Sequence, residues 1–162
     1  MVLFGTKKDI DAWMALVNLV SWNFPGLETT EKLEEHERIV LQFMEEKRAL
    51  CVKDVKNIKD VKDVKDIKDN EKIIGVLLFS TKHNMICCLA VHPDYRNRGV
   101  GSALLKEALG KLDRSKRIVV STFREEDEKG KAPRALYKKF GFVEDELIEE
   151  FGYPNQRFIL YP

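Results

Sequence analysis

Met85-Ile86-Cys87-Cys88-Leu89-Ala90-Val91-His92-Pro93-Asp94-Tyr95-Arg96-Asn97-Arg98-Gly99-Val100-Gly101-Ser102-Ala103-Leu104-Leu105 is the stretch on which the fold turns. It opens with seven apolar residues in a row, Met85 to Val91. An unbroken run of that length predicts a strand covered on both faces and central in a sheet. His92-Pro93 ends it, since proline has no N–H to give to a ladder. A glycine-punctuated loop then runs straight into an amphipathic helix expected over Val100 to Leu112. The first turn of a helix has N–H groups without intrahelical partners, and the helix dipole adds partial positive charge there. Gly99 and Gly101 carry no Cβ to hold a ligand off the backbone, and Arg96 and Arg98 bring positive charge to the rim. Such a loop suits an anion of diphosphate size. It is neither a Walker A loop nor the full dinucleotide fingerprint.

Working toward the N-terminus, Lys72 to Ser80 reads as the preceding strand, with Lys82-His83-Asn84 as the turn between the two. Before it, Lys53 to Asn70 is six consecutive triplets, KDV, KNI, KDV, KDV, KDI and KDN. A period of three fits neither a strand nor a helix, so this segment is expected to be a solvated excursion between two strands. Ala49 to Lys53 reads as a strand. Thr30 is expected to cap a helix over Glu31 to Lys47, burying Leu33, Ile39, Val40, Phe43 and Met44. An earlier helix places Ile10, Trp13, Met14, Val17 and Val20 at helical spacing behind a Thr6–Asp9 capping pair, and Val2 to Gly5 suits a first strand.

Toward the C-terminus, Arg117 to Phe123 reads as a strand and Arg124 to Lys131 as a charged loop. Pro133 opens a helix through Phe140, with Gly141 as its C-terminal cap. Closing strands over Phe142 to Glu150 and Arg157 to Tyr161 flank a Gly152-Tyr153-Pro154-Asn155 turn. The order βααβ-ββ-αβαβ-β describes a mixed α/β sandwich with helices on both faces of one sheet.

Composition narrows the function classes. The chain has 162 residues, enough for one domain, and 44% hydrophobic residues, enough for a core. With 28 Lys+Arg against 27 Asp+Glu it lacks the basic excess of a nucleic-acid binder. Its 3 cysteines, Cys51, Cys87 and Cys88, are expected to be reduced and buried, with Cys87 and Cys88 on opposite faces of their strand. No ligand spacing suggests a metal. The start lacks the apolar run of a signal peptide and no stretch suits a membrane span, so a cytoplasmic location is expected.

Val91 to Leu105 closely resembles the acyl-CoA loop of the GNAT superfamily of N-acetyltransferases, whose pattern is Gln/Arg-x-x-Gly-x-Gly/Ala after the fourth strand. Ala135-Leu136-Tyr137-Lys138-Lys139-Phe140-Gly141-Phe142 resembles that family's Leu-Tyr-x-x-x-Gly-Phe segment. The firm resemblance spans Lys72 to Phe142, and the N-terminal helices fit the family order more loosely. It implies a single GNAT-like domain over residues 1–162 with a repeat insertion at 53–70. That fold has a central, mixed but mostly antiparallel sheet of about six to seven strands and helices on both faces.

The resemblance also implies acetyl-CoA as co-substrate, no metal, and a small-molecule or peptide amine as acceptor, with a homodimer common among relatives. Leu89, Ala90 and Val91 would pair with the pantetheine arm, and Arg96, Asn97, Arg98, Gly99, Val100, Gly101 and Ser102 would hold the pyrophosphate. Tyr137 would sit near the thioester sulfur as the acid. Trp22, Phe24 and Pro25 would line the acceptor entrance.

The chemistry asks for a base, because an amine of pKa ~10.4 is neutral in about one molecule in 2,500 at pH 7, a deficit of ~4.6 kcal/mol. Relatives often place a glutamate in or beside the central strand, but Met85 to Val91 has no acid. His83, Glu125, Glu126 and Tyr153 are the candidates left; His36 and His92 are given no role. The family's common Asn ahead of the tyrosine is replaced by Gly130. Two further readings stay open at this point: a non-catalytic acetyl-CoA sensor, and an interaction protein acting through the 53–70 repeat.

Overall fold

Residues 1–21, 26–55 and 71–162 are described by the structure, a computed structural model. Strand β1 (Val2–Phe4) leads through Thr6, whose backbone N–H donates to the Asp9 carboxylate at 2.9 Å, into helix α1 (Ile10–Val20). Helix α2 (Thr30–Glu45) is capped by Thr29, one residue ahead of expectation. Thr29 has the extended backbone a cap requires, and its hydroxyl accepts from the Lys32 N–H at 3.1 Å. Then follow β2 (Ala49–Val55), β3 (Glu71–Ser80), β4 (Met85–Val91), α3 (Val100–Lys111), β5 (Ile118–Phe123), α4 (Lys131–Lys139), β6 (Val143–Glu150) and β7 (Tyr153–Leu160). The first repeat triplet, Lys53-Asp54-Val55, therefore belongs to β2 rather than to the expected excursion, and residues 56–70 lie outside the described residues. Lys53 pairs with Asp9 at 2.8 Å, and Asp54 accepts from the Tyr95 hydroxyl.

The seven strands form one sheet in the order β1-β2-β3-β4-β5-β7-β6, antiparallel throughout except where β4 meets β5. The two-residue alternation of strands sorts side chains into two cores. Leu50, Val52, Leu77, Phe79, Ile86, Val120 and Phe158 pack under α3 and α4. Ala49, Cys51, Ile73, Val76, Leu78 and Ala90 pack under α1 and α2, around the fully buried Trp13. Truncating an aromatic so enclosed typically costs about 3–5 kcal/mol, which places Trp13 among the main supports of that layer. Ile39, expected in this core, is instead 43% exposed; it follows Arg38 around the helix, off the stripe that buries Val40 and Met44.

Helix α4 ends as its glycine foretells. Gly141 has φ 96°, its N–H donates to Lys138 O at 3.0 Å, and the Phe142 N–H reaches back to Tyr137 O at 3.0 Å. The closing hairpin differs from expectation. Its turn is Phe151-Gly152, both left-handed, and Tyr153, Pro154 and Asn155 already belong to β7. Pro154 is tolerated in the strand because the β5 partner ends at Phe123, opposite Asn155, so no ladder donor is needed there.

Candidate functional site

Strand β4 is central, as expected, and gives Ile86 to one core and Ala90 to the other, but one of its edges is open. It pairs with β3 from Met85 to Val91, while its parallel pairing with β5 is confined to Met85 opposite Val119. Beyond that point the two strands part, and among the described residues β4 has an edge without a ladder partner in the middle of the sheet. A bulge contributes: Leu78 faces Cys88 and Phe79 faces Ile86, so Cys87 is the extra residue. Bulges bend and twist a strand locally, which turns β4 away from β5. Cys87 is consequently exposed and Cys88 half-exposed, against the expectation of buried thiols, whereas Cys51 is buried. Burial of its sulfur still holds the Cys88 thiol up at about 12, so it stays protonated.

At the C-terminal end of β4, the chain passes through a short 3-10 turn, Pro93–Tyr95, into the glycine loop. Asn97 and Gly99 both adopt left-handed backbone, φ 61° and 81°, and Gly99 caps α3. The Ala103 N–H closes the first helical bond onto Gly99 O at 3.0 Å, and no side chain caps the helix. The N–H groups of Val100, Gly101 and Ser102 thus lack intrahelical acceptors. A Cβ on Gly99 would meet nothing within 4 Å, so the approach to these amides is open. Gly101 serves differently. Its added Cβ would lie 3.3 Å from Leu136 Cδ2 and 3.6 Å from Val91 Cγ2, so it lets the helix close on its own neighbours rather than on a ligand. Arg96 and Arg98 are exposed, Arg98 resting 5.3 Å over the Tyr95 ring.

A residue that sequence reasoning missed sets the position of this helix. Gly75 on β3 faces the start of α3, where an added Cβ would fall 2.5 Å from Val100 Cγ1 and 2.9 Å from Leu104 Cδ1. Only glycine permits α3 to sit this close to the sheet. A lone glycine inside a strand is the signal that could have found it.

Tyr137, on α4, is 4% exposed and lies against Phe142 and Phe158, with ring centroids 5.6 and 6.2 Å away. Its hydroxyl makes no hydrogen bond among the described residues, nor is it among their fully enclosed, unpartnered side-chain atoms. Burial, together with the nearby Cys88 thiol, pushes its phenol above the ordinary value. The phenol therefore stays protonated at neutral pH. One turn earlier on the helix, Arg134, also missed, is 5% exposed and ties α4 to three strands. It donates to Phe123 O at 3.0 Å, Gln156 Oε1 at 2.8 Å and Glu144 Oε1 at 2.8 Å. A buried guanidinium so completely paired fixes the helix, and with it the tyrosine, over the sheet.

The candidate bases are scattered. Glu125 and Glu126 are exposed on the loop after β5. The Tyr153 hydroxyl donates to Asp127 at 2.6 Å. His83 lines two open hollows, one of about 500 Å³ beside the end of α2 and one of about 260 Å³ over β5 and β7. Trp22, Phe24 and Pro25 lie outside the described residues, but their neighbour Gly26 approaches the hairpin tip, where its Cβ would meet the Phe151 ring at 3.2 Å. Among the described residues, no group of three or more His, Cys, Asp or Glu could hold a metal, and no helix is long and apolar enough to cross a membrane.

Residues 67–144 match the family model of the acetyltransferase (GNAT) domain. No curated protein matches the chain. Among solved structures, a GNAT-family acetyltransferase from Bacillus cereus ATCC 10987 is 18% identical with a TM-score of 0.68, covering 99% of this chain and 96% of that one. An N-acetyltransferase from Staphylococcus aureus Mu50 gives 18% identity and a TM-score of 0.68, covering 99% of this chain and 100% of its own. The PaiA N-acetyltransferase of Thermoplasma acidophilum, in complex with coenzyme A, is 14% identical with a TM-score of 0.63, covering 97% of this chain and 96% of its own. At such identities these likenesses speak for the fold, and the family match speaks for the chemistry of the part it covers: residues 67–144 are an acetyltransferase (GNAT) domain, and the protein is an acetyltransferase enzyme.

Proposed function

We propose that the protein, as one GNAT-like domain over residues 1–162, transfers acetyl from acetyl-CoA to a primary amine by direct attack. The observation that carries this reading is the coincidence, at one end of β4, of an unpaired strand edge and an uncapped, open helix N-terminus. Both offer backbone N–H groups, spaced along the path from Val91 to Ser102, to a ligand that is amide-bearing at one end and a diphosphate at the other. Leu89, Ala90 and Val91 would pair with the pantetheine amides. The loop from Arg96 through Asn97, Arg98, Gly99, Val100 and Gly101 to Ser102 would hold the diphosphate.

In the reaction the neutral amine nitrogen forms a bond to the thioester carbonyl carbon and the carbon–sulfur bond breaks. The amine loses one proton to water or a carboxylate, and Tyr137 gives one to the departing sulfur, later recovering it from solvent. A backbone N–H freed on the β4 edge would stabilise the charge gathering on the carbonyl oxygen. Steady-state release of coenzyme A with a panel of amines tests the reading. Amine-dependent release supports it; acetyl-CoA binding with no release for any amine would favour a sensor instead.

A further inference from the structure

The loop after β4 carries an aromatic side chain that the proposed reaction does not use. Tyr95, half-buried just ahead of Arg96, has its N–H on His92 O at 2.9 Å, and its hydroxyl donates to Asp54 of β2. Its ring meets that of His92 edge-on, with centroids 5.3 Å apart. His92 is buried; its N–H donates to Ile74 O of β3 at 2.8 Å, and its Nδ1 accepts from the Asp94 N–H at 3.1 Å. Tyr95 is thus pinned to β2, to β3 and to the end of β4 before the glycine turn begins. A ring so tethered is a fixed platform.

Two cations rest on it. Lys72 Nζ lies 5.4 Å from the centroid of the Tyr95 ring, and the Arg98 guanidinium lies 5.3 Å from it. Both side chains are exposed, and neither forms an ion pair among the described residues. The carboxylates that act on the ring are Asp54, already engaged by the Tyr95 hydroxyl, and the exposed Asp94. The two cations come from distant parts of the chain. Lys72 stands near the start of β3, opposite Asp54, and Arg98 directly precedes Gly99, the cap of α3. The ring attracts each of them, but they repel one another unless an anion comes between.

Coenzyme A bears a third phosphate, a monoester on the ribose next to its diphosphate, and such a monoester carries about −1.5 to −2 charges at pH 7. We propose that Lys72 and Arg98, presented by Tyr95, hold this 3′-phosphate and make the enzyme select coenzyme A over its 3′-dephospho form. The inference rests on the reading of this loop as the coenzyme site and adds to it a second anion subsite. Arg98 immediately precedes the amides proposed for the diphosphate, and a single ribose separates the two phosphate groups, so the third falls within reach of a long side chain. Arginine offers a phosphate two parallel N–H groups, while lysine adds a mobile point charge. Tyr95 is a positioning residue, and Asp54 acts through its hydroxyl.

The test is calorimetric titration of the full-length protein with coenzyme A and, separately, with 3′-dephospho-coenzyme A. The wild type should bind the first about twentyfold more tightly, as expected of two exposed charge contacts worth about fivefold each. Lys72→Gln and Arg98→Gln should each lower that preference about fivefold while leaving the dephospho form within about twofold of its wild-type affinity, and the double variant should abolish the preference. Arg96→Gln, whose side chain has no contact with the ring among the described residues, should weaken both forms alike. Tyr95→Leu removes the platform and should lower the preference, with kcat at saturating acetyl-CoA little changed; thermal melting separates this from misfolding. Equal affinity for the two forms in the wild type, or a preference that survives the double variant, overturns the inference while leaving acetyl transfer standing. No binding of either form would remove both readings.

Discussion

The two sides of the β4–β5 gap are built by different means. On the β4–α3 side the groups offered to a ligand in the proposed reading are main-chain amides, exposed by a bulge at Cys87, a left-handed Gly99 and a helix that no side chain caps among the described residues. On the β5–β7–β6 side the polar groups are side chains, Arg117, Asp145 and Glu150, set at different levels of the paired strands. A main-chain site is sensitive to added Cβ atoms and indifferent to most side-chain identities. A side-chain site is the reverse.

Tyr137 stands between the two, and its loss should have the largest effect. Tyr137→Phe removes a proton donor and should lower kcat by about 10²-fold or more, with coenzyme A affinity within a few-fold of wild type. Steady-state kinetics paired with calorimetry checks this, and equal losses in both quantities would place the tyrosine in binding instead. Gly75→Ala should follow. Its Cβ drives into Val100 and Leu104, at a cost of about 1–3 kcal/mol, or several degrees in thermal melting. Gly110→Ala in the same α3, with nothing within 4 Å of its Cβ, should instead stabilise by about 0.5–1 kcal/mol. If the two alanines behave alike, close approach is not what Gly75 provides.

Gly99→Ala meets no atom, so only its backbone is strained, roughly 1–2 kcal/mol; its melting should fall less than that of Gly75→Ala. Replacing Arg96 and Arg98 with alanine should weaken coenzyme A about fivefold for each, as expected for exposed charges worth ~1 kcal/mol, and salt should erase the difference. The smallest effect is an absence. Because burial holds the Tyr137 phenol above its ordinary 10.0, the protonated donor persists as pH rises. A pH–rate profile should show no basic limb from this group below about pH 10.

The same contrast explains what the sequence disclosed. Met85 to Leu105 announces a strand, a stop, a glycine loop and a helix in contiguous residues, and Tyr137 stands in a compact motif with Gly141 and Phe142. The left-handed Gly141 bears out its reading as a helix cap, and Gly99 is left-handed as well. Features that depend on register were not legible. The bulge at Cys87 follows from pairing with Leu78 and Phe79, residues that carry no local mark of it. Gly75 matters because of Val100, and Arg134 because Gln156 and Glu144 come to meet it. The hairpin turn was misplaced because Pro154-Asn155 has turn chemistry, whereas the absence of a β5 partner at Pro154 allows it in a strand.

The most direct test of the account is an amide nitrogen–proton correlation spectrum of the wild-type protein titrated with coenzyme A. Saturable shifts should concentrate at Leu89 to Val91 and at Asn97 to Ser102, leaving Arg117, Asp145 and Glu150 nearly unmoved. Shifts that gather on the β5–β7–β6 face while the amides at the start of α3 stay in place would contradict it.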